Sequence, residues 1–117
     1  MKIYEIFKEH LEEYDDISRR FGGLMLIWEK YIKEFEKDET YNMLKESFLN
    51  GDTDNIEKYS HKLKGTAYNL GFVILGTYAR TLNNEAKKTD NVESLKKYFV
   101  PVIKEYFEIM ELYKKNK

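Results

Sequence analysis

The feature that most constrains the fold is a helical spacing of apolar residues that continues along almost the whole chain. Apolar positions recur three and four residues apart in segments that begin at Ile3, Leu24, Ile56, Phe72 and Leu95. No segment alternates apolar and polar residues as a half-buried strand does. Because one proline and six glycines are all that interrupt 117 residues, long helices are favoured. The sequence therefore predicts an all-α protein.

Composition narrows the class of protein. Hydrophobic residues make up 42% and charged residues 35% of the chain, which suits one domain over residues 1–117 with its own core. The formal net charge of -1 gives no reason to expect nucleic acid as a partner, and no apolar run is long enough to span a membrane. The absence of cysteine excludes disulfides and thiolate metal sites and favours a cytoplasmic protein. We expect a monomer.

Periodicity and turn signals divide the chain into helices. An N-terminal helix is expected to be followed by a short helical piece and a glycine break. A continuation of the first main helix to residue 50 after a bend is left open. The architecture predicted is an antiparallel four-helix bundle with an additional N-terminal helix packed across one end. The N-terminal helix is predicted over residues 3–14, and the four main helices over residues 24–37, 54–70, 72–88 and 92–115.

Individual residues mark the expected helix ends. Capping boxes that begin with Asp54 and Asp90 are predicted to open the second and fourth main helices. Gly71 is predicted to end the second helix as its C-terminal cap. Pro101 is expected to kink or restart the last helix.

The stretch SHKLKGTAYNLG, residues 60–71, has two chemically different faces. At about 100° per residue, His61 lies roughly 140°, Gly65 roughly 180° and Tyr68 roughly 120° from the direction of the apolar stripe. These three residues are therefore predicted to face solvent, with Lys64 on the flank between core and water. The apolar stripe consists of Ile56, Leu63, Ala67 and Leu70.

The outward face has the residues for nucleophilic chemistry. A glycine inside a helix costs about 1 kcal/mol relative to alanine, and Gly65 leaves the imidazole of His61 open to a partner's backbone. A neutral imidazole can attack phosphorus and form a phosphoramidate. Lys64 would offset phosphoryl charge as a mobile cation, with an ordinary snorkelling lysine as the alternative. His10, beside Glu9 in a charged helix, is interpreted as a surface residue.

These residues match a known signature. The stretch resembles the histidine-containing phosphotransfer (Hpt) domain, whose pattern is His, any residue, Leu-Lys-Gly, a small residue and a Leu-Gly end. The flanking segments YDDISRRFGG, DETYNMLKESFLNGD and NLGF resemble the bacterial single-domain branch of that family, so the resemblance covers nearly the whole chain. The matching positions are His61, Leu63, Lys64, Gly65, Ala67, Leu70 and Gly71.

The resemblance implies a phosphocarrier. His61 would be modified at Nε2 and would carry a phosphoryl group between aspartates of receiver domains in multistep two-component signalling. The implied partners are response-regulator receivers and a hybrid sensor histidine kinase. The Mg²⁺ and most catalytic groups would belong to the receiver, so neither kinase activity nor a metal or cofactor of its own is expected. Lys64 would lie beside the phosphoryl group, and Gly65 would permit docking.

Three further positions receive roles from the resemblance. Asn83 stands at the offset where the family often has a polar residue beside the imidazole, and it is expected to orient the ring by a hydrogen bond. It is shorter than the family's usual glutamine or glutamate. Tyr68 stands where many members have a small residue, and surface packing is as good an interpretation as function. Lys62, at a variable position, is assigned with Gly65 and Tyr68 to the docking surface.

Two other functions stay open. The same bundle could be an adaptor that docks receivers without carrying phosphate, because Tyr68 adds bulk near the nucleophile. An enzyme with His61 as general base has little support, since no second catalytic residue appears and an exposed helix face excludes water poorly. The start at Met1 and the absence of a linker favour a complete protein over a piece of a hybrid kinase.

Overall fold

The computed structural model describes residues 2–117, which form seven α-helices and one short 3₁₀ turn and contain no β-strand. The all-α prediction is confirmed. The elements, in chain order, are α1 (Lys2–Phe7), the 3₁₀ turn (Lys8–His10), α2 (Tyr14–Arg20), α3 (Met25–Phe35), α4 (Thr40–Leu49), α5 (Thr53–Leu70), α6 (Val73–Ala86) and α7 (Val92–Lys115).

The N-terminal segment is not the single helix predicted over residues 3–14. Leu11 follows the 3₁₀ turn with an extended backbone at φ −109° and ψ 155°. The backbone N–H of Glu12 donates to the carbonyl oxygen of Gly71 at 2.9 Å, and the Tyr4 hydroxyl donates to the carbonyl oxygen of Glu12 at 3.0 Å. These long-range hydrogen bonds hold Glu12 outside any helix. The expected short helical piece and glycine break follow as α2 and Gly22–Gly23, both glycines with positive φ.

The first main helix, predicted over residues 24–37, is α3, and a turn separates it from α4. The Asp38 carboxylate accepts a hydrogen bond from the backbone N–H of Thr40 at 2.7 Å. A short acidic side chain that bonds to nearby backbone competes with helical hydrogen bonds, so the chain turns here. The turn corresponds to the bend of the predicted alternative, and α4 follows it as far as Leu49.

The link between α5 and α6 is as short as predicted. Gly71 adopts φ +93°, a left-handed conformation that disfavours other residues. The backbone N–H of Phe72 donates to the carbonyl oxygen of Ala67 at 2.8 Å, and that of Gly71 donates to Tyr68 at 3.1 Å. This Schellman pattern ends α5, and α6 returns antiparallel along it.

Two of the predicted caps lie at neighbouring residues instead. Asp52, not Asp54, caps α5, and its side chain accepts a hydrogen bond from the backbone N–H of Asn55 at 3.1 Å. Asn91, not Asp90, caps α7 in the same way, with the N–H of Glu93 as donor. An N-cap residue must have a non-helical backbone, and Asp54 already lies within the first turn of α5.

The last helix has the predicted bounds, Val92–Lys115. Pro101 lies inside α7, which neither ends nor restarts there. Pro101 removes one backbone donor, and α7 continues beyond it to Lys115. Within residues 2–117, no helix combines the length and the apolar character that crossing a bilayer requires.

Aromatic side chains fill much of the core between the helices. Trp28 of α3 is fully buried, and its indole N–H donates to the carbonyl oxygen of Leu70 at 2.7 Å. The rings of α4 stack on rings of α7, with centroids 3.8 Å apart for Tyr41 and Tyr106 and 4.3 Å apart for Phe48 and Phe99. These contacts hold α4 against α7 while α5 packs against both α4 and α6.

Candidate functional site

Helix α5 has the two faces that the sequence predicts. The four residues of the predicted apolar stripe, Ile56, Leu63, Ala67 and Leu70, are all buried. On the opposite side His61 and Gly65 are exposed, and Lys64 is half-buried on the flank. Lys62, beside His61, is also exposed.

His61 differs from the other histidine because its side chain is exposed and makes no polar contact within the described chain. Of the two histidines, His10 makes a hydrogen bond, and within residues 2–117 His61 makes neither a hydrogen bond nor an ion pair. Both ring nitrogens of His61 are therefore free to accept or donate to a partner. A free imidazole lone pair on an exposed helix is the feature that nucleophilic chemistry needs.

Gly65 leaves open space one turn beyond His61. A Cβ atom placed on Gly65 would meet no other atom within 4 Å, so no contact inside the molecule requires glycine there. Beside Gly65 a cavity of about 310 Å³ separates α5 from the end of α3, and we call it the α3–α5 groove. Its lining residues are Tyr31, Glu34, Phe35, Asp38, Gly65, Thr66, Asn69 and Leu70.

The outer face of α3 borders this groove and is more apolar than predicted. The helical spacing of Leu24, Ile27, Trp28, Tyr31, Ile32 and Phe35 predicts one wide apolar stripe that faces the core. Leu24, Ile27 and Tyr31 are exposed instead. Trp28, Ile32 and Phe35 of the same stripe are buried as predicted, so α3 turns a narrower arc toward the core. A row of exposed apolar side chains therefore runs along α3 to Tyr31 at the groove.

Tyr68 is predicted from the sequence to face solvent, but its side chain packs against α6. Its hydroxyl lies 3.0 Å from the Oγ1 atom of Thr77, and its ring lies against Gly76, where an added Cβ would come within 2.7 Å of the ring. The guanidinium of Arg80 lies 5.9 Å from the ring centroid, a cation–π distance. Tyr68 is therefore half-buried between α5 and α6. These contacts support the interpretation that it packs on the surface of the molecule.

The sequence did not identify Gly76, Thr77 and Arg80 as neighbours of the outward face of α5. A glycine in the interior of a predicted helix is the one signal that was present, because it costs about 1 kcal/mol and so suggests a packing reason.

The expected hydrogen bond between Asn83 and the imidazole is not present in residues 2–117. The side-chain amide of Asn83 donates to the carbonyl oxygen of Glu57 at 2.8 Å and to the hydroxyl of Ser60 at 3.2 Å. Asn83 is completely buried, and its Oδ1 atom has no hydrogen-bond partner in the described chain. The side chain is directed into the α5–α6 contact, on the turn that precedes His61. Its role there is to join the two helices.

The interpretation of His10 as a surface residue is wrong. Its side chain is only 13% exposed, and its Nδ1 atom lies 2.7 Å from Oε2 of Glu105. Glu105 belongs to the buried face of α7. With Glu108, one turn further along α7, these residues make a group of donor atoms that lie within 4.8 Å of one another. Such a group can hold a metal ion.

Comparisons with known proteins identify no relative. No protein-family model, no curated protein and no solved structure matches this chain.

Proposed function

We propose that this protein is a histidine phosphocarrier of the Hpt type, which accepts a phosphoryl group from one receiver-domain aspartate and donates it to another. Its partners would be response-regulator receivers and a hybrid sensor histidine kinase in the cytoplasm. It would have no kinase activity and no cofactor of its own, since the Mg²⁺ would be bound by the receiver.

One observation carries this proposal. His61 is exposed and has no partner in the described chain, and it lies opposite a fully buried stripe with an open glycine one turn away. The fold gives no structural reason for either residue. A helix that keeps a nucleophile and a glycine on its solvent face is explained by a partner that approaches there.

The architecture we propose is an antiparallel four-helix bundle with the N-terminal segment as an addition. Its members would be α4, α5, α6 and α7, and α3 would precede α4 on the same side of the bundle. Contacts between α4 and α5, α5 and α6, and α6 and α7 support this arrangement, and the ring stacking of α4 on α7 closes the fourth side.

The reaction follows from the neutral imidazole. With the proton on Nδ1, the Nε2 lone pair of His61 attacks the phosphorus of a receiver aspartyl phosphate. The N–P bond forms as the bond between phosphorus and the aspartate oxygen breaks, and the aspartate leaves as a carboxylate. Donation to a second receiver is the reverse reaction. The half-buried Lys64 is one turn from His61, where its ammonium offsets the charge of the phosphoryl group.

The docking surface we propose combines α5 and α3. Gly65 permits close backbone approach, and on the α3 side the exposed Tyr31, which lines the α3–α5 groove, and the exposed Ile27, one turn before it, offer apolar contact. Lys62 would contribute charge at its edge. Tyr68 would contribute the exposed part of a ring that α6 already holds in position. Such an interface would be small, below about 1,200 Å², as befits a transient complex.

A second candidate function is a receiver-binding adaptor that carries no phosphate. The apolar row on α3 and the adjoining groove favour it, because they provide a binding surface whether or not His61 reacts. The two functions differ in what His61 does, and substitution of this residue separates them.

Phosphotransfer to the purified chain tests the proposal. The protein is mixed with a panel of receivers that have been phosphorylated with labelled acetyl phosphate and Mg²⁺. We expect wild type to take up label that is stable to base and labile to acid, as a phosphoramidate is. His61→Gln should take up none while it binds unphosphorylated receivers normally.

His10→Gln is the matched control, since it removes the only other histidine and should leave labelling intact. Equal label on wild type and His61→Gln would overturn the proposal. Receiver binding that is the same in both proteins, with no label on wild type from any receiver, would establish the adaptor instead.

A further inference from the structure

A second cluster of chemically active side chains lies on α7 and the 3₁₀ turn. His10 of the turn, with Glu105 and Glu108 of α7, offers one nitrogen and two carboxylate oxygens that lie within 4.8 Å of one another. Glu105 and Glu108 are three residues apart and so share one face of their helix. None of these residues belongs to the face of α5 that bears His61.

The burial of Glu105 is the unusual part of this cluster. Its side chain is 8% exposed, and its hydrogen bond to His10 is the one that it makes within the described part of the chain. Buried carboxylates are normally paired or bound to metal ions. A second carboxylate, that of Glu108, stands close by, and two neighbouring negative charges disfavour each other. One imidazole compensates a single carboxylate, whereas a divalent cation compensates both.

The site is open to solvent from two sides. Glu108 lines a cleft of about 490 Å³ that also includes His10, and a second cleft of about 460 Å³ that includes Glu105. The first cleft has more acidic than basic lining residues. They are Glu5, Glu9, Glu108 and Glu111, against Lys8 and Lys115. A cation therefore has both an entry path and a favourable field.

We propose that His10, Glu105 and Glu108 bind a divalent transition-metal ion, with Zn²⁺ as the best match. One imidazole and two carboxylates are a donor set that suits Zn²⁺ better than Mg²⁺ or Ca²⁺, which prefer oxygen ligands alone. Three protein ligands leave the fourth position of a tetrahedral ion for water.

The donor atoms need little movement to enclose the ion. Ligand atoms of a tetrahedral Zn²⁺ site stand roughly 3.4 Å apart when each bond is about 2.0–2.1 Å. The pair formed by His10 and Glu105 must open slightly from 2.7 Å, and the exposed Glu108 side chain is free to rotate inward. The ion takes the place of the proton in the hydrogen bond between His10 and Glu105, and that proton is released to solvent. The bound ion would fasten the N-terminal segment to α7.

Titration of the chelator-treated full chain with Zn²⁺ tests this site by calorimetry. We expect saturable binding with one ion per chain, a dissociation constant below about 100 µM, and a higher Tm in the presence of Zn²⁺. Glu108→Gln should weaken the affinity at least about tenfold. Because Glu108 is exposed, this variant keeps the fold, and circular dichroism checks that it does.

Two control variants identify where the ion binds. Glu111→Gln changes another acidic residue of the same cleft outside the cluster, and its affinity should stay within about twofold of wild type. His61→Gln should also bind Zn²⁺ normally, which separates this site from the proposed phosphoacceptor. Absence of one-to-one binding, an unchanged affinity in Glu108→Gln, or loss of binding in His61→Gln would each show that the cluster is an ion pair only.

Discussion

Two glycines on neighbouring helices, Gly65 and Gly76, have opposite surroundings. A Cβ on Gly65 would meet nothing within 4 Å, whereas a Cβ on Gly76 would lie 2.7 Å from the ring of Tyr68. The backbone of both is helical, so neither needs glycine for its conformation. Gly76 is therefore explained by packing inside the molecule, and Gly65 only by something outside it.

Gly65→Ala should stabilise the fold and impair the function. Replacing a helical glycine with alanine in open space should raise the free energy of unfolding by about 1 kcal/mol. The added methyl group on the docking surface should slow phosphoryl transfer from a receiver to His61. Urea unfolding and the rate of label uptake measure the two effects on the same preparation.

Gly76→Ala provides the contrast for this variant. Its methyl group must displace the ring of Tyr68, so the gain in helix propensity should be cancelled by about 1–3 kcal/mol of overpacking. If Gly65→Ala were instead destabilised, Gly65 would have a packing role inside the molecule. Phosphoryl transfer at the wild-type rate would show that Gly65 has no role in docking.

Asn83 makes a prediction about the α5–α6 contact. Asn83→Leu keeps the number and branching of the side-chain heavy atoms and removes the buried Oδ1 that has no hydrogen-bond partner in residues 2–117. We expect the free energy of unfolding to change by less than about 1 kcal/mol, since two lost hydrogen bonds are offset by one unsatisfied atom removed. Asn83→Ala leaves a cavity as well and should cost about 2–3 kcal/mol. Chemical denaturation of the two variants provides the comparison, and a larger loss in Asn83→Leu than in Asn83→Ala would contradict it.

At the scale of the elements, cap positions depend on backbone conformation more than on residue type. Asp52 precedes α5 and Asp54 lies in its first turn. Of the two, Asp52 alone has a side chain that accepts a hydrogen bond from a first-turn N–H. Asp54 with Glu57 fits the capping-box pattern in sequence, but Asp54 lies two residues after the N-cap position that Asp52 occupies.

Asp52→Ala should therefore cost about 1 kcal/mol of stability, the usual worth of an N-cap. Asp54→Ala, which removes only a favourable charge near the helix N-terminus, should cost less than about 0.5 kcal/mol. Thermal unfolding of both variants under one buffer measures the difference. Equal losses would place the cap at Asp54, as the sequence pattern had predicted.

Helix α3 shows which buried positions the spacing of apolar residues can predict and which it cannot. Its apolar residues are numerous enough to suggest a wide core stripe, yet Leu24, Ile27 and Tyr31 are exposed. The spacing correctly placed Trp28, Ile32 and Phe35 inside. It could not reveal that no neighbouring helix covers the flank of the stripe, because coverage is decided by helices distant in the sequence.

For the whole molecule, the buried tyrosines predict a loss of stability in alkali. Burial raises the pKa of Tyr106 to about 12, with smaller contributions from Tyr41 and nearby acidic groups. Burial raises the pKa of Tyr41 and of Tyr113 in the same direction. A tyrosine in the unfolded chain ionises near pH 10. Between about pH 10 and 12 the unfolded state therefore binds fewer protons than the folded state, and stability falls as the pH rises.

Tyr106→Phe separates this effect from the titration of lysines. The variant lacks one ionising group in both states, so its unfolding free energy should fall less steeply above about pH 10 than that of wild type. Urea unfolding at about pH 9 and about pH 11 measures the two slopes. Parallel loss in both proteins would mean that Tyr106 does not stay protonated in the folded state.

The sequence by itself determined the features that depend on a single helix. The angle of each residue about the axis of α5 follows from its position in the chain, so the buried stripe and the exposed His61 and Gly65 were predictable. Gly71 as a helix end and the bounds of α7 were also predictable, because caps and breaks act within a few residues.

Only the tertiary structure decided which neighbour each face meets. Asn83 points to Ser60 and not to the imidazole, Tyr68 is held by Gly76, and His10 pairs with Glu105. Periodicity describes rotation about one axis. It contains no information on the distance, the register or the direction of a second helix, and all three of these contacts depend on those quantities.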